Sequence, residues 1–468
     1  GVTGIEISGV ARHANVVVFD VCFDTGCFGS AAAESIDQII SDGVVDVVNY
    51  SISGGQSPWG EAASLAFLSA VDAGVFVAAS SGNFNPQNPP SQFVGHLEPW
   101  TASTANSTHN RRFNNPLTVT GPGTPPMTLE DVLAVQGTGP AMAVDMVGEI
   151  NYAEIVDPGN VTGCNAFPAL AFDGVIALIS RGACSFADKV NNAEAAGAIG
   201  VVVHNNVGGD PIVMGGLDTT NLPSVMISLD AGTELATYIT NNPGTTVSVA
   251  SSTSISLEGQ ADSMSSGSSI GPSTFEYNKP DLTGPGTSIL AGWADGDTAT
   301  GTAAEYAVIS GTSMSSPHTA GSAALLMELH PTWSVTEIKS ALMMTAVTAG
   351  VTKSDQVTPA DPFDRGAGRV QVDVASSTGL VMHETSLNFF QADPANGGDP
   401  KTLNMPSYKN DNCVGTCSFT RSFRSVANTS VEYNVTLVDM VGTVTPSNFT
   451  VFPGQTVNVT LKIVLLPL

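Results

Sequence analysis

The chain has 468 residues, 12% of them charged and 42% apolar, with 48 glycines and 28 prolines, which predicts a turn-rich globular protein of about three domains. Its 42 acidic against 15 basic residues leave a formal charge of −27. That excludes nucleic acid and anionic membrane surfaces as partners, because both need clustered Lys and Arg. No apolar run approaches the ~20 residues of a bilayer-crossing helix, so no membrane span is expected.

The first elements read as strand and helix in alternation. Residues 15–21 (NVVVFDV) predict an apolar strand, and a turn-rich loop with Cys22 and Cys27 follows it. Residues 31–41 predict a helix, 44–49 a strand that runs out into Ser51-Ile52-Ser53-Gly54-Gly55, 62–73 a second helix and 75–79 a third strand that ends at Ser80-Ser81-Gly82-Asn83. Continuous apolar strands joined by helices describe a parallel sheet covered on both faces. Chemistry in such sheets gathers beyond the carboxyl ends of the strands, so 51–55 and 80–83 are placed on the working side.

Between about 114 and 260 the pattern changes. Apolar strands near 174–179, 199–204 and 225–227 surround a helix over 185–196, which predicts a small inserted α+β domain. The first pattern resumes near 261, and from about 387 to 468 short β runs alternate with Pro, Gly and Asn turns, as in a β-sandwich.

The six cysteines form three close pairs, Cys22 with Cys27, Cys164 with Cys184 and Cys413 with Cys417. Three local disulfides suit this spacing better than zinc, since the first and last pairs have no Cys or His partner nearby in sequence. Disulfides imply an oxidising compartment outside the cytosol. Asn-x-Ser/Thr sequons at Asn106, Asn160, Asn428, Asn434, Asn448 and Asn458 fit secretion weakly. No cofactor or metal is implied, and no oxygen-ligand spacing matches a calcium loop.

The most informative stretch is Gly311-Thr312-Ser313-Met314-Ser315-Ser316-Pro317-His318, followed by a helix over 319–329. A Gly-Thr-Ser turn before a helix holds a hydroxyl at the positive end of the helix dipole, with Pro317 expected in the first turn, where its missing N–H has no intrahelical partner. Most such starts are only Ser/Thr caps.

GTSMSSPH, however, resembles the nucleophile segment of the subtilisin-like serine proteases (subtilases). NYSISGG at 49–55 resembles that family's substrate-binding strand, and VAASSGN at 77–83 its oxyanion segment. The resemblance implies that Ser313 is the nucleophile, that Asn83 donates to the oxyanion, and that Ser51, Ile52 and Ser53 bind an extended peptide. Ser53 stands where the family usually has Gly, which puts the pocket width in question. Asp281, within KPDLTGPG at 279–286, matches a segment whose role is structural. The insert resembles a protease-associated domain through 181–186, 195–198 and 205–206, and the tail a fibronectin type III-like domain with Cys413 and Cys417 near its start.

The expected architecture is therefore α/β: a three-layer subtilisin-like parallel sheet with helices on both faces over 1–112 and 262–376. An α+β protease-associated insert at 113–261 interrupts it, and a β-sandwich at 385–468 follows. The expected activity is secreted serine endopeptidase action on protein or peptide substrates.

A serine hydrolase also needs a base and an orienting acid. In subtilases these precede a Gly-Val-Ala segment, which here is Gly9-Val10-Ala11. Asp24-Thr25-Gly26 follows that segment and reads as a lookalike turn. His13, His96, His109, His204, His330 and His383 fall away from the site, and His318, on the helix, faces away from the hydroxyl. The sequence thus reads as a fragment of a longer protease, inactive without the missing Asp and His. The alternatives are an inactive peptide-binding pseudoprotease and, more distantly, a lipase or esterase, against which Ser315 stands in the final Gly position of Gly-x-Ser-x-Gly.

Overall fold

The computed structural model describes residues 7–23, 26–83, 94–217, 219–252, 254–256, 259–293 and 305–465. The first domain opens with α1 (Gly29–Asp42), β1 (Val47–Tyr50), α2 (Ala62–Asp72), β2 (Phe76–Ser80) and β3 (Ala102–Ser107). α1 stops at Gly43, whose φ of 63° lies in the left-handed region that closes helices. All five residues of β2 are buried, which requires cover on both faces of the sheet.

The insert supplies β4 (Leu117–Gly121), β5 (Ala134–Gln136), β6 (Met146–Tyr152), β7 (Ile176–Ser180), α3 (Phe186–Ala195), β8 (Gly200–His204), β9 (Ser224–Ile227), α4 (Leu229–Asn241) and β10 (Thr246–Val249). They form one seven-stranded sheet in the order β4-β10-β6-β7-β8-β9-β5. It is parallel from β6 to β9 and antiparallel towards both edges.

Alternate residues of its strands face opposite cores. Ile176, Leu178, Val202 and Val225 pack with Leu235 and Ile239 of α4. Ala177, Ile179, Val201 and Val203 pack with Val190 and Ala193 of α3. α3, which Ser185 and Asp188 start with a reciprocal capping box, lies where the sequence pattern places a helix, and α4 is an additional helix.

Past the insert, β11 (Leu282–Pro285) returns to lie parallel to β3, giving the four-stranded parallel sheet β11-β3-β2-β1. A hairpin of β12 (Ile289–Trp293) and β13 (Glu305–Ile309) then leads into α5 (Thr312–Leu329) and α6 (Val335–Met344). Leu290 and Val308 of this hairpin pack with Phe113, Val135 and Val213, so the insert abuts the polypeptide that enters α5. One core joins α1, α2, α5 and α6 to the sheet around Phe67, Val77, Tyr277 and Leu326.

The C-terminal region is β-rich. β14 (Leu380–Val381), α7 (Ser386–Gln391), β15 (Thr416–Ser425), β16 (Val431–Asn434), β17 (Gly442–Thr445), β18 (Asn448–Val451) and β19 (Thr456–Val464) make an antiparallel sheet β14-β15-β19-β17 and a β16-β18 pair. Its first strand lies before residue 385, and Phe389, Leu403 and Met405 belong to the core of the first domain. Arg424 closes the junction with an ion pair to Glu337 at 2.6 Å.

Two expectations about local structure change. Residues 15–21 form no strand, and Val16, Val17 and Val18 are 83%, 61% and 83% exposed; β1 is the sheet's edge among the described residues, and no strand pairs with that segment. Two of the six sequons, at Asn106 and Asn160, are buried and closed to glycosylation, whereas Asn428, Asn434, Asn448 and Asn458 are exposed. No described helix is long and apolar enough to cross a membrane.

All three cysteine pairs are disulfide-bonded: Cys22 to Cys27, Cys164 to Cys184 and Cys413 to Cys417. Cys417 is buried, unlike the other five cysteines, which are half-buried or exposed. The reason is its place in β15, where it is the second residue, lies opposite Ile463 of β19 and shares the inward face with Phe419 and Arg421 by the two-residue alternation of a strand. Asn410 Nδ2 donates to its Sγ at 3.6 Å. The Cys413–Cys417 disulfide thus ties the preceding loop to the sheet.

Candidate active site

The carboxyl ends of β1 and β2 and the start of α5 converge. Ser313 is the second residue of α5, where backbone N–H groups have no intrahelical acceptor and the helix dipole is positive. Its Oγ donates to the carbonyl of Ser51 at 3.2 Å, and the hydroxyl of Ser51 donates back to the carbonyl of Ser313 at 2.7 Å, across 262 positions of sequence.

The second bond has a local cause. α5 begins at Thr312, so Pro317 is its sixth residue rather than part of the first turn that the sequence suggested. In a helix the N–H of residue 317 would bond to the carbonyl of residue 313, and proline has none. The orphaned carbonyl of Ser313 takes the Ser51 hydroxyl instead. Ser51 Oγ in turn accepts from Asn49 Nδ2 at 3.0 Å, and Asn49 Oδ1 accepts from Ser316 Oγ at 2.7 Å. The sequence reading did not single out Asn49 and Ser316 as partners; Pro317 was the signal that the carbonyl of Ser313 needed an outside donor.

Asn83 reaches the same turn from the end of β2. Its Oδ1 accepts the N–H of Thr312 at 2.9 Å and the Thr312 hydroxyl at 3.0 Å, from 229 positions away. Because a backbone N–H can only meet an oxygen, these bonds fix the amide's orientation. They direct Oδ1 at Thr312 and leave Nδ2 as the amide's donor.

Gly311 and Gly286 make room for this arrangement. A Cβ on Gly311 would lie 3.3 Å from Asn83 Nδ2, and one on Gly286 would collide with Ser315 Oγ, 2.6 Å from the Gly311 carbonyl and 2.7 Å from Asn106 Oδ1. Gly286 O also accepts the N–H of Gly311 at 2.8 Å.

Ser51 and Ile52 are half-buried and Ser53 is exposed, just past the end of β1. The carbonyl of Ile52 points inward to His96 Nε2 at 2.8 Å. Asp281 is not merely a loop residue, because it is 4% exposed and its carboxylate binds Lys279 at 2.5 Å, Lys339 at 3.0 Å and the N–H of Ser103 at 2.9 Å. This cluster fixes β11 to β3 below the site.

No described histidine bonds to Ser313 Oγ. His318 Nδ1 donates back to the carbonyl of Met314 at 2.8 Å, and burial holds its ring below the ordinary histidine range. His109 donates from Nε2 to the carbonyl of Ser288 at 3.2 Å and accepts the N–H of Arg111, and burial lowers it too. Asp24 and Thr25 lie outside the described residues. The described residues contain no cluster of three or more His, Cys, Asp or Glu side chains able to hold a metal.

The model of the subtilase family matches residues 1–368. Subtilisin-like protease SBT1.7 of Arabidopsis thaliana is 30% identical over 89% of this chain and 58% of its own length. Subtilisin-like protease SBT1.3 of the same plant is 32% identical over 82% of this chain and 50% of its own. The CO(2)-response secreted protease of Arabidopsis thaliana is 26% identical over 83% and 52%. The chain thus spans about half the length of the curated relatives it matches. A crystal structure of the psychrophilic subtilisin-like protease Apa1 from an Antarctic Pseudoalteromonas aligns over 78% of each chain at 16% identity, with a TM-score of 0.40.

Proposed function

Since the chain belongs to the subtilase family of subtilisin-like serine peptidases, we propose that it is the nucleophile-bearing part of a secreted serine endopeptidase. In this reading Ser313 attacks the scissile carbonyl. The N–H of Ser313 and Asn83 Nδ2 receive the oxyanion, and Ser51–Ser53 hold the peptide as an added strand. The observation that carries it is the meeting of Ser313 with Asn83 at one helix N-terminus, through Thr312, with Nδ2 left as donor. The base and its orienting acid are assigned to the part of the family's length that this sequence does not span. The insert is read as a protease-associated domain and the tail as fibronectin type III-like. Secretion is supported by three disulfides and by the name of one relative.

A fluorophosphonate probe tests this reading on the protein expressed with its native upstream sequence. Labelling at Ser313, abolished by Ser313→Ala, together with cleavage of a denatured protein substrate, is the expected result. Peptide binding without labelling or cleavage would establish the alternative, a pseudoprotease.

A further inference from the structure

The peptide-binding reading leaves unused a charged pair sealed directly behind the 51–55 segment. His96 is 1% exposed and Glu98 0%, and His96 has a φ of 51°, a left-handed conformation that costs a non-glycine residue energy unless its surroundings enforce it. The backbone around it ties both walls of the cleft together. Gly95 N–H donates to the Ser81 carbonyl, while His96 and Leu97 donate to the carbonyls of Gly54 and Gly55, each at 2.8 Å. A Cβ on Gly55 would lie 2.6 Å from His96 Cα, so the approach is as close as glycine permits.

The ring's surroundings favour its charged form. Nε2 faces the Ile52 carbonyl at 2.8 Å and must donate. Nδ1 faces Glu98 at 3.4 Å, and that carboxylate already accepts from Ser64 Oγ at 2.6 Å and Thr101 Oγ1 at 3.3 Å. Glu98 is shifted toward its ionised form, and an ionised carboxylate only accepts, so Nδ1 also carries a proton and the ring is an imidazolium.

We propose that His96 is a positioning residue for peptide recognition: held by Glu98, it pins the Ile52 carbonyl from inside and thereby fixes the cleft-facing edge at Ser51 and Ser53. Covalent connectivity gives the reason. The Ile52 carbonyl shares its planar peptide unit with the Ser53 nitrogen and is one residue from the Ser51 carbonyl, so a bond that holds it from inside also limits the backbone of both neighbours. The Ser51 carbonyl meets Ser313 Oγ.

This proposal rests on the peptide-binding reading above and adds a pH dependence. Burial alone would lower the His96 pKa; the charge and hydrogen bond of Glu98 and the Ile52 carbonyl outweigh it and raise it, with Lys279 opposing. Glu98 is lowered by the His96 charge and hydrogen bond against the desolvation that would raise it. The other groups facing the ring are Tyr50, edge-on at 5.5 Å and itself raised by burial and by Glu98 and Glu61, and Glu61, beside Gly54. A histidine whose pKa is raised holds its proton to higher pH than a free one and loses it as pH rises further, so recognition weakens on the alkaline side.

The test uses the protein with its native upstream sequence, an internally quenched octapeptide, and a fluorophosphonate that needs Ser313 but not the strand. His96→Asn should raise KM by about tenfold or more, with kcat and the labelling rate each changed by less than about threefold. Glu98→Gln should move the alkaline limb of KM to lower pH, an effect that mere structural support would not produce. An unchanged KM, an equal fall in labelling, or an unmoved limb would overturn the proposal. If the unaltered protein neither labels nor cleaves, the proteolytic reading has failed instead. Nitrogen-15 spectra of His96 then decide: a doubly protonated ring at neutral pH that loses its proton in Glu98→Gln sustains the clamp, and a neutral ring refutes it.

Discussion

Pro317 and Ser51 should be energetically coupled although 266 positions separate them, because both act on the carbonyl of Ser313. Ser51→Ala removes the 2.7 Å bond and leaves that half-buried carbonyl without its outside donor; an unsatisfied buried polar group costs ~1–3 kcal/mol, and half-burial places this one near ~1.5 kcal/mol. Pro317→Ala restores the missing helical N–H and relieves a proline that is ~3 kcal/mol worse than alanine inside a helix. In the Pro317→Ala background, Ser51→Ala should therefore cost only ~0.5 kcal/mol, a coupling of ~1 kcal/mol. Urea unfolding followed by tryptophan fluorescence measures this in the first domain, since Trp59, Trp100, Trp293 and Trp333 all lie outside the insert and the C-terminal sheets. Additivity within ~0.3 kcal/mol would refute the argument that proline exposes the carbonyl and serine satisfies it.

Asn83→Asp keeps an oxygen for Thr312 but removes the amide donor. Stability should change by under ~1 kcal/mol while kcat of the intact enzyme falls ~10²–10³-fold, the size known for the oxyanion asparagine of subtilisin, itself a member of this family. Full activity in steady-state assays would remove Asn83 from the oxyanion site. Asp281→Ala strands Lys279 and Lys339 and should cost ~3–5 kcal/mol, read as a urea midpoint shift; a loss below ~1 kcal/mol would mean that the backbone carbonyls alone sustain both ammonium groups. Burial holds the Lys339 pKa at about 8 against its ordinary 10.5, with Asp281 opposing. Between those values the unfolded chain binds more protons, so the unaltered protein should gain stability as pH rises through that window, by up to ~3 kcal/mol from this group. A flat urea midpoint from pH 7.5 to 10 would contradict this. Reducing Cys164–Cys184, whose partners are 20 residues apart, should destabilise the insert by ~3 kcal/mol on loop entropy, measured by calorimetry with and without reductant; an unchanged insert transition would show that the buried β7–β8 core suffices.

The sequence made legible whatever depended on short-range pattern. The strand–helix alternation over 44–79 predicted β1, α2 and β2 within a few residues, because their apolar runs are bounded by Gly and polar turns. GTSMSSPH located the turn at Ser313 because a Gly-Thr-Ser turn opening a helix is a contiguous pattern. Features that depend on a distant partner did not show. Residues 15–21 are apolar enough for a strand, but a strand exists only where another offers its ladder, and none does among the described residues. α4 was hidden because Thr and Gly dilute its apolar face; tertiary burial of Leu235, Ala236 and Ile239 overrides that weak propensity. Cys417 shows the same limit, since its pairing with Cys413 follows from close spacing, whereas its burial follows from β19, some forty residues further on.

His96 is the sharpest case. In sequence it carries no sign of a link to the site. Its burial follows from Gly54 and Gly55, which lie more than forty residues earlier and have no side chains to keep it out. Glu98, two residues on, gave the only local hint, since an acid beside a histidine can stabilise an imidazolium wherever the fold excludes water. A residue that acts through a neighbour's backbone leaves no motif, because its partner, the Ile52 carbonyl, is the same atom in every amino acid. Such positions become visible only when hydrogen-bond donors are counted against the carbonyls they must satisfy.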